Sequence, residues 1–244
     1  MAVTIPINEQ VFEIRFKPDP EVLDHRGEWA KSTSAHLGME HWQIVDNRFD
    51  VFNEKQVEHF FVSFRNAGYS AINTPGKSFF SERSGKFLRH LYGLTGFNDN
   101  LFIERIGVLS KFCTPFKGKY DDLVSLFSQK YMGLTDEAHE AIGKNAKIAD
   151  IGAPVNFEDR FGTFNTGCGP AKRAQLQEFF SKHTSLPEIG FFYYIDYFQT
   201  PKGNLKGKDI IEIIAKLSLE SWERHERVRN LVLPVNQVKN RPAF

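Results

Sequence analysis

Five ionisable side chains are the strongest chemical candidates in this chain. They are Glu13 and Arg15 in Val11-Phe12-Glu13-Ile14-Arg15-Phe16, Glu104 and Arg105 in Ile103-Glu104-Arg105-Ile106-Gly107, and Asp196 in Tyr194-Ile195-Asp196-Tyr197. Carboxylates brought together can ligate a divalent cation or share the roles of acid and base, and an arginine can hold a phosphate through two parallel hydrogen bonds. The same residues in neighbouring strands would equally form a ladder of cross-strand ion pairs. Side chains alternate faces along a strand, so Glu104 and Arg105 are expected to point opposite ways and all five cannot converge. The ladder is therefore the expected arrangement. Asp196 has apolar neighbours on both sides in sequence, where a carboxylate without a partner is costly, so an Arg or Tyr is expected beside it.

His225 falls on the apolar stripe of the last expected helix. It could serve there as a general base, although the commoner role is a hydrogen bond within the core. His36 and His41 are separated by Gly38, and Ala138-His139-Glu140-Ala141 lacks the second histidine of a metalloprotease helix. The run Asn165-Thr166-Gly167-Cys168-Gly169-Pro170 precedes Lys172 and Arg173, as glycines precede cations in a phosphate cradle. It lacks the Gly-Lys-Ser/Thr ending of a nucleotide-binding loop, and a plain connecting turn is expected. Cys168 could act as a nucleophile, but no His/Asn spacing supports it. Basic residues gather at Lys111, Lys117 and Lys119, at Lys202, Lys206 and Lys208, and at Arg224, Arg227 and Arg229. They could track a nucleic-acid backbone, though solvated loops and helix faces account for them. The catalytic candidates are thus Asp196, His225, Glu13 and Glu104, and the ligand-binding candidates are Arg15, Arg105, Lys172 and Arg173. No metal-ligating set and no cofactor is expected.

These residues sit in a chain of 244 residues, enough for one large domain or two closely packed ones. With 24 Phe against three Met and three Trp, the core is expected to be packed by rigid rings. The 31 basic and 30 acidic side chains leave a formal net charge of +1, which argues against a dedicated nucleic-acid binder. Cys113 and Cys168 have no Cys-x-x-Cys spacing and read as reduced thiols of a cytoplasmic protein. No run of about 18 apolar residues and no basic-then-apolar leader occurs, so neither a membrane span nor secretion is expected.

The elements that must position the candidates read as one pattern stated twice, over residues 9–94 and 100–232. Each half opens with a Glu-Arg strand and a helix, continues through extended segments around a Glu and a Phe-Phe pair, and closes on an amphipathic helix. The Phe-Phe segments are Glu58-His59-Phe60-Phe61 and Glu178-Phe179-Phe180. In the first half Phe12, Ile14 and Phe16 alternate with Val11, Glu13 and Arg15, the period of a half-buried strand. A helix over 21–37 with Trp29 as anchor should end at Gly38, followed by extended segments near 42–52, 57–66 and 69–73 and a helix over 78–93.

In the second half a strand over 101–112 leads to a helix around Leu123, Val124, Leu126 and Phe127, a short helix over 135–144 and an extended stretch over 146–166. For 171–183, helix propensity and alignment with 57–66 disagree, and the tertiary constraint of a repeated topology selects strand. Residues 189–199 form the strongest strand, apolar on both faces and so interior to its sheet. The closing helix, 208–232, puts Ile210, Ile214, Leu217, Ser221, His225 and Val228 on one stripe. The expected fold class is α+β, with duplicated β-α-β-β-β-α halves and mostly antiparallel sheets gripped by long helices. Residues 1–97 make the first repeat, 98–234 the second, and 235–244 a loose tail.

This layout resembles a sporadically distributed family of uncharacterised bacterial proteins of about this length. The likeness rests on Val11–Phe16, Ile103–Gly107, Tyr194–Tyr197 and the His225-Glu226 pair. They match that family's Phe-Glu-Ile-Arg-Phe strand, Ile-Glu-Arg-Ile-Gly strand, late Ile-Asp strand and C-terminal His-Glu helix. After Gly107 the family continues with a Tyr-x-Asn-like segment, where this chain has Val108-Leu109-Ser110-Lys111-Phe112. The resemblance implies a duplicated α+β body in a bacterial or phage cytoplasm, and the family's patchy distribution points to mobile or defence-associated gene neighbourhoods.

A well-formed body without a catalytic constellation is expected to be a binding or interaction module without catalytic activity, a component of a phage-defence or toxin-linked assembly. Its partner would be a protein, with a homo-oligomer as a further form, nucleic acid not favoured and no membrane. The alternative is a metal-dependent enzyme acting on nucleic acid or nucleotide through Asp196 with Glu13 or Glu104.

Overall fold

A computed structural model describes residues 6–53, 55, 57–97, 100–143, 146–180, 183 and 185–233; the expected tail, 235–244, lies outside them. The chain begins with β1 (Ile7–Phe16), α1 (Glu21–Leu37), β2 (His41–Val45), β3 (Arg48–Phe52), β4 (Glu58–Ser63), β5 (Asn66–Ile72) and α2 (Phe79–Leu91). There follow β6 (Asn100–Pro115), α3 (Tyr120–Phe127) with a π turn at Ser128–Met132, α4 (Asp136–Gly143), β7 (Ala153–Asp159), β8 (Gly162–Lys172) and α5 (Arg173–Phe179). The last elements are β9 (Ile189–Gln199), β10 (Gly203–Lys206) and α6 (Gly207–Val232). The fold is α+β, built on one antiparallel sheet in the order β2-β3-β4-β5-β1-β6-β9-β8-β7. Because β6 has 16 residues, it pairs with β1 along one side and with both β9 and β10 along the other.

Three local expectations are corrected. The extended segment 42–52 is a hairpin, β2–β3, turning at Asp46 and Asn47. The run Asn165–Pro170 is neither turn nor cradle; it lies inside β8, in register with β7 and β9. Residues 171–183 are not a strand: β8 ends at Lys172 and α5 follows, carrying Glu178 and Phe179 on a helix. Here propensity prevails over the alignment, helped by the Gln175 side chain, whose Oε1 accepts from the Lys172 N–H at 2.9 Å.

Strand alternation assigns each residue to one side of the sheet. Phe12, Ile14 and Phe16 of β1, Phe60 and Val62 of β4, and Tyr193, Ile195 and Tyr197 of β9 are buried in a single core with apolar residues of α1, α2, α3 and α6. Phe60 stacks on Tyr69 and Tyr69 on Phe80, at centroid distances of 4.2 and 4.9 Å, and the Tyr69 hydroxyl donates to Glu58, itself clamped by Arg83. α6, about 39 Å long at 1.5 Å per residue, buries Ile210, Ile214, Leu217, Trp222 and His225. Among the described residues no helix is long and apolar enough to cross a membrane.

Candidate functional site

The residues of opposite parity form the second face of the sheet. At one end α5 covers it, and Leu176 and Phe180 pack there with Ile7, Cys113 and Phe192. Beyond α5 the strand registers set out two continuous rows. One runs Gln43, Asp50, Phe61, Gly68, Glu13, Gly107, Phe198, Thr163 and Glu158. The next runs His41, Phe52, His59, Ser70, Val11, Leu109, Asp196, Asn165 and Asn156. Two glycines in the first row let long side chains lie flat. A Cβ on Gly68 would collide with both the Phe61 ring and the Phe12 carbonyl oxygen, and one on Gly107 would meet the Arg105 guanidinium at 3.0 Å.

Arg105 uses that space to reach across β6 to β9. Its Nη2 donates to both Asp196 oxygens at 2.9 Å, and its guanidinium lies over the Phe198 ring, 4.4 Å from the centroid. Asp196 thus has the arginine partner its sequence context calls for. Arg15 stands opposite Arg105 in the register and turns back onto Glu13. The hydrogen bond and charge of Glu13, with a smaller contribution from Asp196, raise the Arg15 pKa further. Lys111 extends the row of ion pairs to Glu9 at 3.5 Å and donates to the Phe179 carbonyl at 2.9 Å. Glu104 stays outside the cluster. The β1–β6 register shifts between Arg15, paired with Arg105, and Phe16, paired with Ile103, which leaves Glu104 as an exposed extra residue.

Because Arg105 and Asp196 are half-buried and share a two-oxygen contact, their coupling should exceed that of an ordinary surface pair. A double-mutant cycle of Arg105→Met and Asp196→Asn, read by urea denaturation, is expected to give about 1 kcal/mol at low salt and markedly less in concentrated salt. Additive single effects would show that the contact is not stabilising.

Sequence reasoning missed a second ionic cluster on this face. Asp50 is 0% exposed, and its oxygens meet His59 Nε2 at 2.8 Å, Arg48 Nε at 3.1 Å and Gln43 Nε2 at 3.4 Å. Burial pushes its pKa up, but the His59 and Arg48 contacts outweigh it and hold the carboxyl below its ordinary value. The signal was the run Arg48-Phe49-Asp50-Val51, in which ionisable and apolar residues alternate as they do in Glu13-Ile14-Arg15-Phe16.

The remaining candidates are engaged elsewhere. Lys172 lies over the Tyr120 ring at 4.5 Å, and Arg173 pairs with Glu188 and donates to the Leu186 carbonyl, both at 2.8 Å. Cys168 is buried, and burial pushes its thiol up to about 11, unlike an activated nucleophile. His225 is enclosed in the core beneath α6. The basic groups disperse: Arg224 binds Asp159, Arg227 lies near Glu220 and Glu223, and Lys208 near Glu212.

No protein-family model matches this chain, and no curated protein matches its sequence. Among the described residues no group of three or more His, Cys, Asp or Glu is placed to hold a metal ion. The arrangement offers a broad, shallow surface with aromatic and aliphatic groups at its centre and ion pairs of both signs around them.

Proposed function

We propose that the protein is a binding module that receives another protein on the open face of its sheet. The carrying observation is the balance of that face. Glu9, Glu13, Asp50 and Asp196 are set against Arg15, Arg48, Arg105 and Lys111 around a half-buried centre of Val11, Phe61, Leu109 and Phe198. A polyanion is bound by an excess of cations, whereas mixed charge around an apolar, aromatic centre suits a protein surface. The resemblance to the bacterial family supports a cytoplasmic setting and a phage-defence or toxin-linked assembly. It also supports internal duplication, as does the placement at a sheet edge, in both halves, of the second strand, β2 after α1 and β7 after α3 and α4.

The test is site-specific photo-crosslinking in the native host, with a benzophenone side chain at Leu109 on the open face or at exposed Asn230 on α6. A discrete adduct from Leu109, absent from Asn230 and weakened by Arg105→Glu, is the expected result. Equal adducts at both positions, or turnover of any substrate abolished by Asp196→Asn in a folded protein, would overturn the reading.

A further inference from the structure

The two edges of the sheet are guarded unequally. At one edge β7 contains Pro154, which has no N–H to offer a neighbouring strand, and it ends on Glu158 and Asp159. A further strand docking there would meet a missing donor and two carboxylates. At the other edge β2 reads His41-Trp42-Gln43-Ile44-Val45, without proline or a formally charged side chain, and all five residues are exposed. Trp42, Ile44 and Val45 keep 46%, 41% and 39% of their surface in contact with solvent. β3 satisfies one side of this strand, and among the described residues no strand lies along the other. An unguarded apolar edge of this kind is a template for a further strand.

We infer that β2 pairs antiparallel with β2 of a second copy of this chain, about a twofold axis perpendicular to the sheet at Gln43, joining two sheets into one. Charge is the first argument: self-pairing of β2 brings no formally charged side chain to the seam, whereas self-pairing of β7 would set Glu158 and Asp159 of each copy along it. The second is side-chain complementarity. Pairing about Gln43 sets Trp42 opposite Ile44 of the second copy and Ile44 opposite its Trp42. Both residues lie on the helix-bearing face, because they pair with the buried Val51 and Phe49. The apolar groups that one copy leaves in water are thus covered by the same groups of the other, as an isologous contact requires. The third is area. Five paired residues per copy bury on the order of 800 Å² in total, below the roughly 1,200 Å² of stable specific interfaces. The dimer is therefore one that exchanges with monomer, and its formation leaves the open face accessible, so it does not depend on the protein-binding reading.

Sedimentation velocity of the full chain across about two decades of micromolar concentration tests this. The wild type is expected to pass from monomer to dimer, and Ile44→Lys, a charge placed on an exposed edge position, to weaken the dimer at least tenfold with an unchanged circular-dichroism spectrum. Gln43→Cys with a short bis-maleimide should trap a covalent dimer, above the background of the two buried native cysteines, and Asn156→Cys on β7 should not. A wild type that stays monomeric at the highest concentration overturns the inference. So does a dimer that Ile44→Lys leaves intact, or one that Gln43→Cys fails to trap.

Discussion

Lowering the pH from 7 to 4.5 is expected to remove about 3 kcal/mol of stability through one side chain, His225. Its ring is 0% exposed and lies nearly parallel to Phe112, with centroids 4.3 Å apart, while Tyr193 closes the site at 5.9 Å. Nε2 is 3.5 Å from the Thr114 hydroxyl, and Nδ1 has no hydrogen-bond partner among the described residues. Burial, reinforced by the charge of Arg229 one turn further along α6, lowers the pKa from 6.5 to about 3. The folded state therefore refuses a proton that the unfolded chain accepts. Its contribution is complete above pH 6.5 and is lost progressively as the pH falls toward 3, at about 1.4 kcal/mol per unit. Urea denaturation at several pH values should show this slope in the wild type and a flatter one in His225→Phe, which keeps a ring against Phe112 but cannot titrate. His225→Gln serves the same purpose should the larger ring overpack the site. Parallel pH profiles in wild type and variants would exclude the effect. A neutral ring sealed in this way holds the helix to the sheet and has no route to a substrate.

The position of His225 was legible because an α-helix repeats its buried stripe every three or four residues, and Ile210, Ile214, Leu217 and Ser221 mark that stripe. β1 was legible for the equivalent reason in a strand. What failed is what has no period. The bulge at Glu104 breaks alternation by a single residue, and nothing in Ile103-Glu104-Arg105-Ile106 distinguishes it from a regular strand. The segment after Lys172 was misread because Phe179-Phe180 was matched to Phe60-Phe61, although the local preference of Ala174, Gln175, Leu176 and Gln177 was helical. The ionic pairs were legible as residues but not as pairs. Arg105 and Asp196 are 91 residues apart, and only the β6–β9 register brings them together. Asp50 and His59 meet diagonally across the β3–β4 hairpin, and the separation of two expected strands does not fix their register.

Gln10→Ala is expected to cost about 4 kcal/mol, the other large effect in this structure. Gln10 takes the buried parity of β1 with Phe12 and Ile14, so the strand carries a polar side chain into its own core at 0% exposure. Its Oε1 accepts from Trp222 Nε1 at 3.0 Å, and its Nε2 donates to the hydroxyls of Ser110 at 3.1 Å and Ser218 at 3.3 Å. One side chain of the first strand thus joins the central strand β6 to the closing helix α6. Truncation strands the indole N–H, at about 2 kcal/mol for a buried donor without a partner, and opens a cavity worth about as much again. Gln10→Leu refills the volume but not the hydrogen bonds, and should recover about half of the loss. Chemical denaturation of the two variants separates the terms. Equal losses would assign the whole effect to hydrogen bonding, and a loss below about 1 kcal/mol in Gln10→Ala would mean that α6 is held by its apolar stripe without this network. Gln10 shares the parity of Phe12 and Ile14, but its partners, 100 to 212 residues away, follow only from the packing of α6 across β1 and β6.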